Sequence, residues 1–349
     1  MIIAKLSRAE WELIQALTQS LTLRDLAKKT GFSLSTTWRI FKNLYRKGAY
    51  YYVFDTRRFR LCYLAVISAY DEHGENEWPQ GTLSIRKLWG LKPYTLFSAL
   101  IPYCFIDKYL KSLNADLVTV VRGLEVHWWR PDSGGSLLMP RGGLVPFLSE
   151  TLKEKYFEEK YSRPPEPPPD NLTVPDPIDM AILVKKLQAG PFARPIEGVR
   201  YAANVDPSFP RVSEKTVSYH YRKHVLPSWL YNTFVPYLPI TDVPLRIFYF
   251  EGREAPAVAR MLITLPYFIT ALVDVNCSLL TGQTPAWMME TIYRVVSSFD
   301  VEAPLCQPVM SSENIAKFIP HLWKFLKKTG KGWKWSWPEE KVRVIQRRR

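Results

Sequence analysis

The chain has 349 residues, enough for two or more domains, and its 47% hydrophobic and 14% aromatic content is ample for buried cores. No apolar run reaches the roughly 18–20 residues of a membrane span, and Lys5, Arg8 and Glu10 interrupt the start in a way a signal peptide does not. Cys62, Cys104, Cys277 and Cys306 form no CxxC pair, so the pattern indicates neither a disulfide framework nor a zinc knuckle, and a cytoplasmic chain is expected.

The net charge of +14 is unevenly placed. Residues 1–60 hold twelve Lys/Arg against four Asp/Glu, and residues 321–349 hold ten against two, leaving the middle near neutral. Basic ends around a neutral centre suit a polyanionic partner.

Ser7 and Glu10 have capping-box spacing before a first helix whose Trp11, Ile14 and Leu17 face inward. Leu23, Leu26 and Ala27 give a second helix its apolar stripe. Gly31 follows it where a left-handed residue ends a helix, and Ser33 is placed to cap a third. That helix turns Thr37, Ile40, Phe41 and Leu44 inward. Ser33, Ser35, Thr36, Trp38, Arg39, Lys42, Asn43 and Arg46 are left as candidate DNA contacts. A helical pair that only packs or mediates dimerisation is the plainer alternative.

The segment over about residues 7–60 resembles the winged helix-turn-helix of archaeal leucine-responsive/AsnC-type (Lrp/AsnC-like) regulators, with Thr37 where their pattern has valine. Residues 49–54 read as a strand, 55–58 as a turn and Phe59 as the start of a second strand. Arg57 and Arg58 would then lie on a DNA-touching wing beside Arg60. The resemblance implies that an α/β domain follows, mediating oligomerisation and often binding an amino acid. Residues 61–70 read as a buried strand, Asp71–Gly81 as a polar loop, and Thr82–Trp89 as a short helix. Beyond these, 94–105 reads as a strand, 106–113 as a helix and 116–129 as strands meeting near Gly123. His127, Trp128 and Trp129 are core or interface candidates that could also stack on a ligand.

Residues 131–175 read as a connector with Gly pairs, a charged helix over 147–161 and a stiff Pro-rich spacer over 163–169. The plan then restarts. Residues 176–188 resemble the family's opening helix, 195–203 its second, and 213–225 its recognition helix, with Ser213 and Thr216 standing 180 residues after Ser33 and Thr36. Lys215, Ser218, Tyr219, Arg222 and Lys223 would face DNA. The connection 204–211 is too long for a tight turn. His220 and His224 share a helical face, but no third ligand stands at regular spacing, so no metal is expected. Residues 243–310 read as βαββαβ, 311–328 as a final amphipathic helix, and the Trp-rich basic tail as a nucleic-acid wrap or an edge strand.

The expected fold class is α+β, with two winged helix-turn-helix domains (1–60 and 176–235) each followed by a ferredoxin-like α/β sandwich (61–130 and 236–328). A linker (131–175) joins them and a tail (329–349) closes the chain. The expected function is a non-enzymatic, sequence-specific transcription regulator binding double-stranded DNA, with no cofactor, open to a small effector and to self-association. Two alternatives stand beside it. One is an enzyme like the siroheme decarboxylases, which share this domain plan, with His127, His220 and His224 as acid/base or haem-contacting candidates. The other is an architectural DNA-binding protein without sequence preference.

Overall fold

The computed structural model describes residues 3–70, 77–146, 151–160, 162–169, 172–313, 315–330, 332–343 and 346–348. The first helices form as the sequence dictates: α1 (Arg8–Leu17), α2 (Leu23–Thr30) and α3 (Leu34–Leu44). Ser7 and Glu10 close a full capping box on α1. Gly31 ends α2 at φ 71° and the Ser33 hydroxyl accepts from the Thr36 amide.

The wing does not form as a hairpin. Strand β1 (Gly48–Phe54) runs into a 3-10 turn, Thr56–Phe59, closed by Arg60 in the left-handed region. Its partner is a strand about 180 residues on, which it meets antiparallel from Gly48↔Pro236 to Phe54↔Trp229. The two faces of this ribbon explain the choice. Tyr50 and Tyr52 are buried in the core and Tyr51 stacks on Trp128, so β1 is sandwiched rather than free to pair with its own neighbour.

Strand β2 (Leu61–Ala69) begins the sheet, followed by the short β3 (Glu77–Pro79), β4 (Thr82–Trp89), β5 (Pro93–Pro102), α4 (Ile106–Leu113), β6 (Leu117–Gly123) and β7 (Glu125–Trp128). The helix expected over 82–89 is therefore a strand. It pairs with β5 on one side and with two later strands on the other, and this tertiary pairing overrides a weak local helical pattern. Of the polar loop expected over 71–81, residues 71–76 lie outside the described residues.

A small hairpin, β8 (Ser136–Leu138) with β9 (Leu144–Pro146), and α5 (Thr151–Lys160) occupy the connector. The ends of the charged helix, 147–150 and 161, lie outside the described residues. The Pro-rich stretch is laid against the protein, with Pro165 and Pro168 buried and the Arg163 carbonyl accepting from Arg260 at 3.1 Å.

Next come α6 (Pro177–Ala189), α7 (Pro195–Val205) and α8 (Glu214–His220), the last prolonged by a π turn, Tyr221–Val225. After β10 (Trp229–Pro236), the partner of β1, the order is β11 (Arg246–Glu251), α9 (Ala255–Leu262), β12 (Phe268–Val273), β13 (Cys277–Gly282), α10 (Ala286–Val296) and β14 (Val309–Met310). This is the βαββαβ order expected for that stretch.

The helix expected over 311–328 is instead β15 (Ile315–Lys317), a 3-10 turn at Leu322–Phe325 and β16 (Leu326–Thr329). Pro320 accounts for the break: it lacks an amide hydrogen and disfavours helical geometry at Ile319. β16 forms a hairpin with β17 (Gly332–Trp335). β18 (Lys341–Arg343) pairs with β3, and β19 (Gln346–Arg348) with β15. Trp333, Trp335 and Trp337 pack on the core, so the tail's aromatics are engaged by the protein itself.

Within each half the strands lie in the order fourth, first, third, second: β6-β2-β5-β4 and β14-β11-β13-β12. The halves join twice, β4 to β14 and β12 to β7. Because β6 and β7 are separated only by Leu124, the nine-strand path returns to where it began. Arg122 crosses the second seam to the buried Asp274, donating twice at 2.9 Å. Ala65, Ile67, Leu88, Leu96, Val121, Ile247, Leu279 and Met310 fill the space enclosed. The ribbon β1/β10 lies between this double sheet and the helices, with Tyr50 and Phe234 packed on the aromatic side chain of Phe41 or on each other. Among the described residues no helix is long and apolar enough to cross a membrane.

Candidate functional site

On α3, Ser35, Trp38, Arg39, Lys42, Asn43 and Arg46 are exposed, with Ser33 at the cap and Thr36 half-buried beside it. Arg57 and Arg58 sit on the 3-10 turn rather than a wing, and face carboxylates: Glu166 at 3.8 Å and Asp55 at 3.9 Å. Lys215, Tyr219, Arg222 and Lys223 are exposed on α8 and its π turn, and Ser218 is half-buried. These two helical faces belong to separate elements.

A group of side chains between the ribbon and the double sheet, called the recess below, has a different chemistry. The Tyr51 ring stacks on Trp128 with centroids 3.9 Å apart, and its hydroxyl meets that of Tyr237 at 2.5 Å. Tyr237 keeps 43% of its surface accessible, yet burial pushes its hydroxyl pKa up. Burial also raises Tyr51 and Tyr63, both only part-covered by the chain's own atoms.

Arg86 completes this group. On β4 it shares a face with Leu88, across from Leu96 on β5, so it points into the space between the halves. Its Nη1 lies 3.5 Å from the Met310 sulfur. Burial lowers its pKa, opposed by Tyr51 and Tyr237. Among the described residues no carboxylate pairs with it. A half-buried guanidinium that faces phenols and a thioether gains when an anion arrives. The raised tyrosine pKa values keep both hydroxyls protonated, hence able to donate.

A second cleft, of about 540 Å³, opens beside β7 and includes Glu125, His127, Arg130, Asp132, Arg163 and Arg260. Its charges are matched internally. Arg260 holds Glu125 at 2.7 and 2.8 Å, Glu125 holds His127 at 3.1 Å, and Arg130 holds Asp132 at 2.8 and 3.0 Å. Burial would raise the Glu125 carboxyl, but hydrogen bonds from His127 and Arg260 outweigh it and bring the pKa to about 2. His127 is thus committed to a neighbour, and the charges of this cleft named above are paired with one another.

His220 and His224 turn toward Asp179 of α6. Their Nδ1 atoms stand 2.9 and 3.1 Å from its carboxylate oxygens. The three histidines singled out in the sequence therefore divide between two places.

No protein-family profile and no curated protein matches this chain. Among solved structures it is similar to the siroheme decarboxylase NirDL, at 11% identity over 87% of this chain and 90% of that one, with a TM-score of 0.44. It is similar also to NirDL in complex with an iron-uroporphyrin III analogue, at 11% identity over the same shares, with a TM-score of 0.40. These neighbours are enzymes. The expectations of a DNA-binding transcription regulator and of a chain without enzymatic activity are corrected on that finding.

The sequence carried little sign of the recess. Tyr51 reads as one of three strand tyrosines, Tyr237 drew no reading, and Arg86 lay inside a stretch read as helix. Only the strand alternation Ser84, Arg86, Leu88, with an arginine at an inward position, could have drawn attention to it.

Proposed function

We propose that this chain is an enzyme acting on a flat, carboxylate-bearing tetrapyrrole, and that it removes carbon dioxide from a side-chain acetate. The reading rests on one observation in this chain: Arg86, half-buried and with no carboxylate partner among the described residues, beside two protonated tyrosines and a stacked tryptophan. A guanidinium selects a carboxylate, and aromatic walls select a flat ring. An iron-uroporphyrin III analogue, the ligand named for one of the structural neighbours, has both properties.

The chemistry assigns roles. Loss of carbon dioxide leaves an electron pair on the side-chain methylene carbon, which the conjugated macrocycle can delocalise, and a proton must then reach that carbon to give a methyl group. Tyr51 or Tyr237 supplies the proton, and solvent restores it. Arg86 on the departing carboxylate would stabilise the ground state more than a transition state losing that charge. It is therefore assigned to a carboxylate that does not react, holding the ring in place.

The architecture belongs to the same proposal: two helix-turn-helix units (1–60, 176–235), each followed by a ferredoxin-like unit (61–130, 236–328), with a linker (131–175) and tail (329–349), fused as a covalent pseudo-dimer. The repeated strand order, the cross-paired ribbon and the matching caps at Ser33 and Ser213 support it. The recess then lies at the junction of the fused copies.

Titration of the full chain with iron-uroporphyrin III, followed by absorbance, tests the reading. Stoichiometric binding that weakens about tenfold or more in Arg86→Gln is expected, from the loss of a charge-assisted contact worth about 1.5–3 kcal/mol. Absence of binding, or binding indifferent to Arg86, would remove the carboxylate assignment.

A further inference from the structure

We propose that Asp179, His220 and His224 form a binding site for one divalent transition-metal ion, separate from the recess. The three side chains each offer one ligand atom, and these atoms lie within 4.8 Å of one another. Asp179 Oδ1 stands 2.9 Å from the His220 Nδ1 and 3.2 Å from the His224 Nδ1. An ion held about 2.0–2.2 Å from nitrogen and oxygen ligands needs neighbouring donors roughly 3 Å apart, so small side-chain rotations suffice.

The backbone is shaped for this convergence. α8 gives way at Tyr221 to a π turn, whose wider coil carries His224 round to the same carboxylate that His220 reaches. Such turns recur at functional sites. Asp179 is fixed from behind: it stands in the first turn of α6, where its Oδ2 accepts from the Asp176 amide at 3.1 Å as part of a capping box. Side-chain exposure runs from 3% at Asp179 through 12% at His220 to 41% at His224, so the cluster is rooted in the protein and open on one side. An incoming ion takes the position now bridged by the imidazole hydrogens. Each ring moves its proton from Nδ1 to Nε2, and water fills the remaining coordination positions. Two imidazoles and one carboxylate with open positions suit Zn²⁺, Fe²⁺ or Co²⁺ rather than Mg²⁺ or Ca²⁺.

The plainer role for these residues is an ion pair between a buried carboxylate and a histidine, and the test separates the two. Chelator-treated full chain is titrated with Co²⁺ alone, reading visible d–d absorption and stoichiometry by dialysis. One ion per chain is expected, with affinity falling at least tenfold in His224→Ala, whose exposed side chain can be removed without unfolding, and again in Asp179→Asn. The proposal is overturned if wild type binds no stoichiometric Co²⁺. Equal binding by wild type and His224→Ala, with the same d–d spectrum, overturns it too.

Discussion

Replacing Arg86 by methionine should stabilise the protein while weakening its binding of the proposed substrate. The guanidinium lies on the inward face of β4, opposite Leu96, against the Met310 sulfur and near the Tyr51 and Tyr237 phenols, with no carboxylate partner among the described residues. Moving an ion out of water costs several kcal/mol, and the half-buried position of Arg86 returns part of that to solvent. A net gain of about 1–2 kcal/mol on replacement is the expected remainder. For a chain this large each kcal/mol moves the melting temperature by about 2 °C, so Arg86→Met should melt about 2–4 °C higher. The same variant should bind iron-uroporphyrin III roughly 10- to 100-fold more weakly, since a charge-assisted contact is lost. Differential scanning calorimetry and absorbance titration read the two effects on one preparation. A variant that melts several degrees lower would refute the reasoning, because Arg86 would then be held by the protein rather than waiting for a ligand.

Three further outcomes follow from the geometry. A Cβ at Gly48 would meet the Val235 carbonyl oxygen at 2.1 Å and the Phe234 ring at 2.7 Å, so Gly48→Ala should part the ribbon and cost about 2–4 kcal/mol in urea unfolding. His321, pressed on Trp323 and bonded to Tyr201 at 3.2 Å, has its pKa lowered to about 4 by burial and then by Lys324. Its folded value lies below the unfolded 6.5, so the unfolded chain binds the extra proton between them; stability should fall as pH drops from about 6.5 to 4, and His321→Gln should flatten that limb. Trp333→Phe removes the 2.9 Å bond from Nε1 to Asp176, the residue capping α6, and should cost about 1–2 kcal/mol by thermal melting.

The helical parts were legible because their signals are local. Ser7 with Glu10, Gly31, Ser33 and Ser213 mark the ends they were expected to mark. The βαββαβ stretch after β10 was readable for the same reason: each strand and helix there carries its own period. What failed was decided at a distance. Residues 82–89 are a strand because β5, β14 and β15 flank them. β1 pairs with β10 because its two faces are both claimed by aromatic neighbours. The expected C-terminal helix had an apolar period, but Pro320 outweighed it, and that residue was visible in the sequence. The recess and the Asp179 cluster escaped for a stricter reason. Tyr51, Arg86 and Tyr237 come from three elements, and Asp179 precedes His220 by 41 residues, so no spacing rule could assemble either set.

Turnover is the most direct measure of the central claim. Incubating the full chain with siroheme under anaerobic conditions, and following the macrocycle by mass spectrometry, should show successive losses of carbon dioxide from its acetate side chains. Tyr51→Phe should slow the reaction and Arg86→Gln should weaken binding of the macrocycle. Macrocycle recovered with every carboxylate intact, from a chain shown to be folded, would contradict the account.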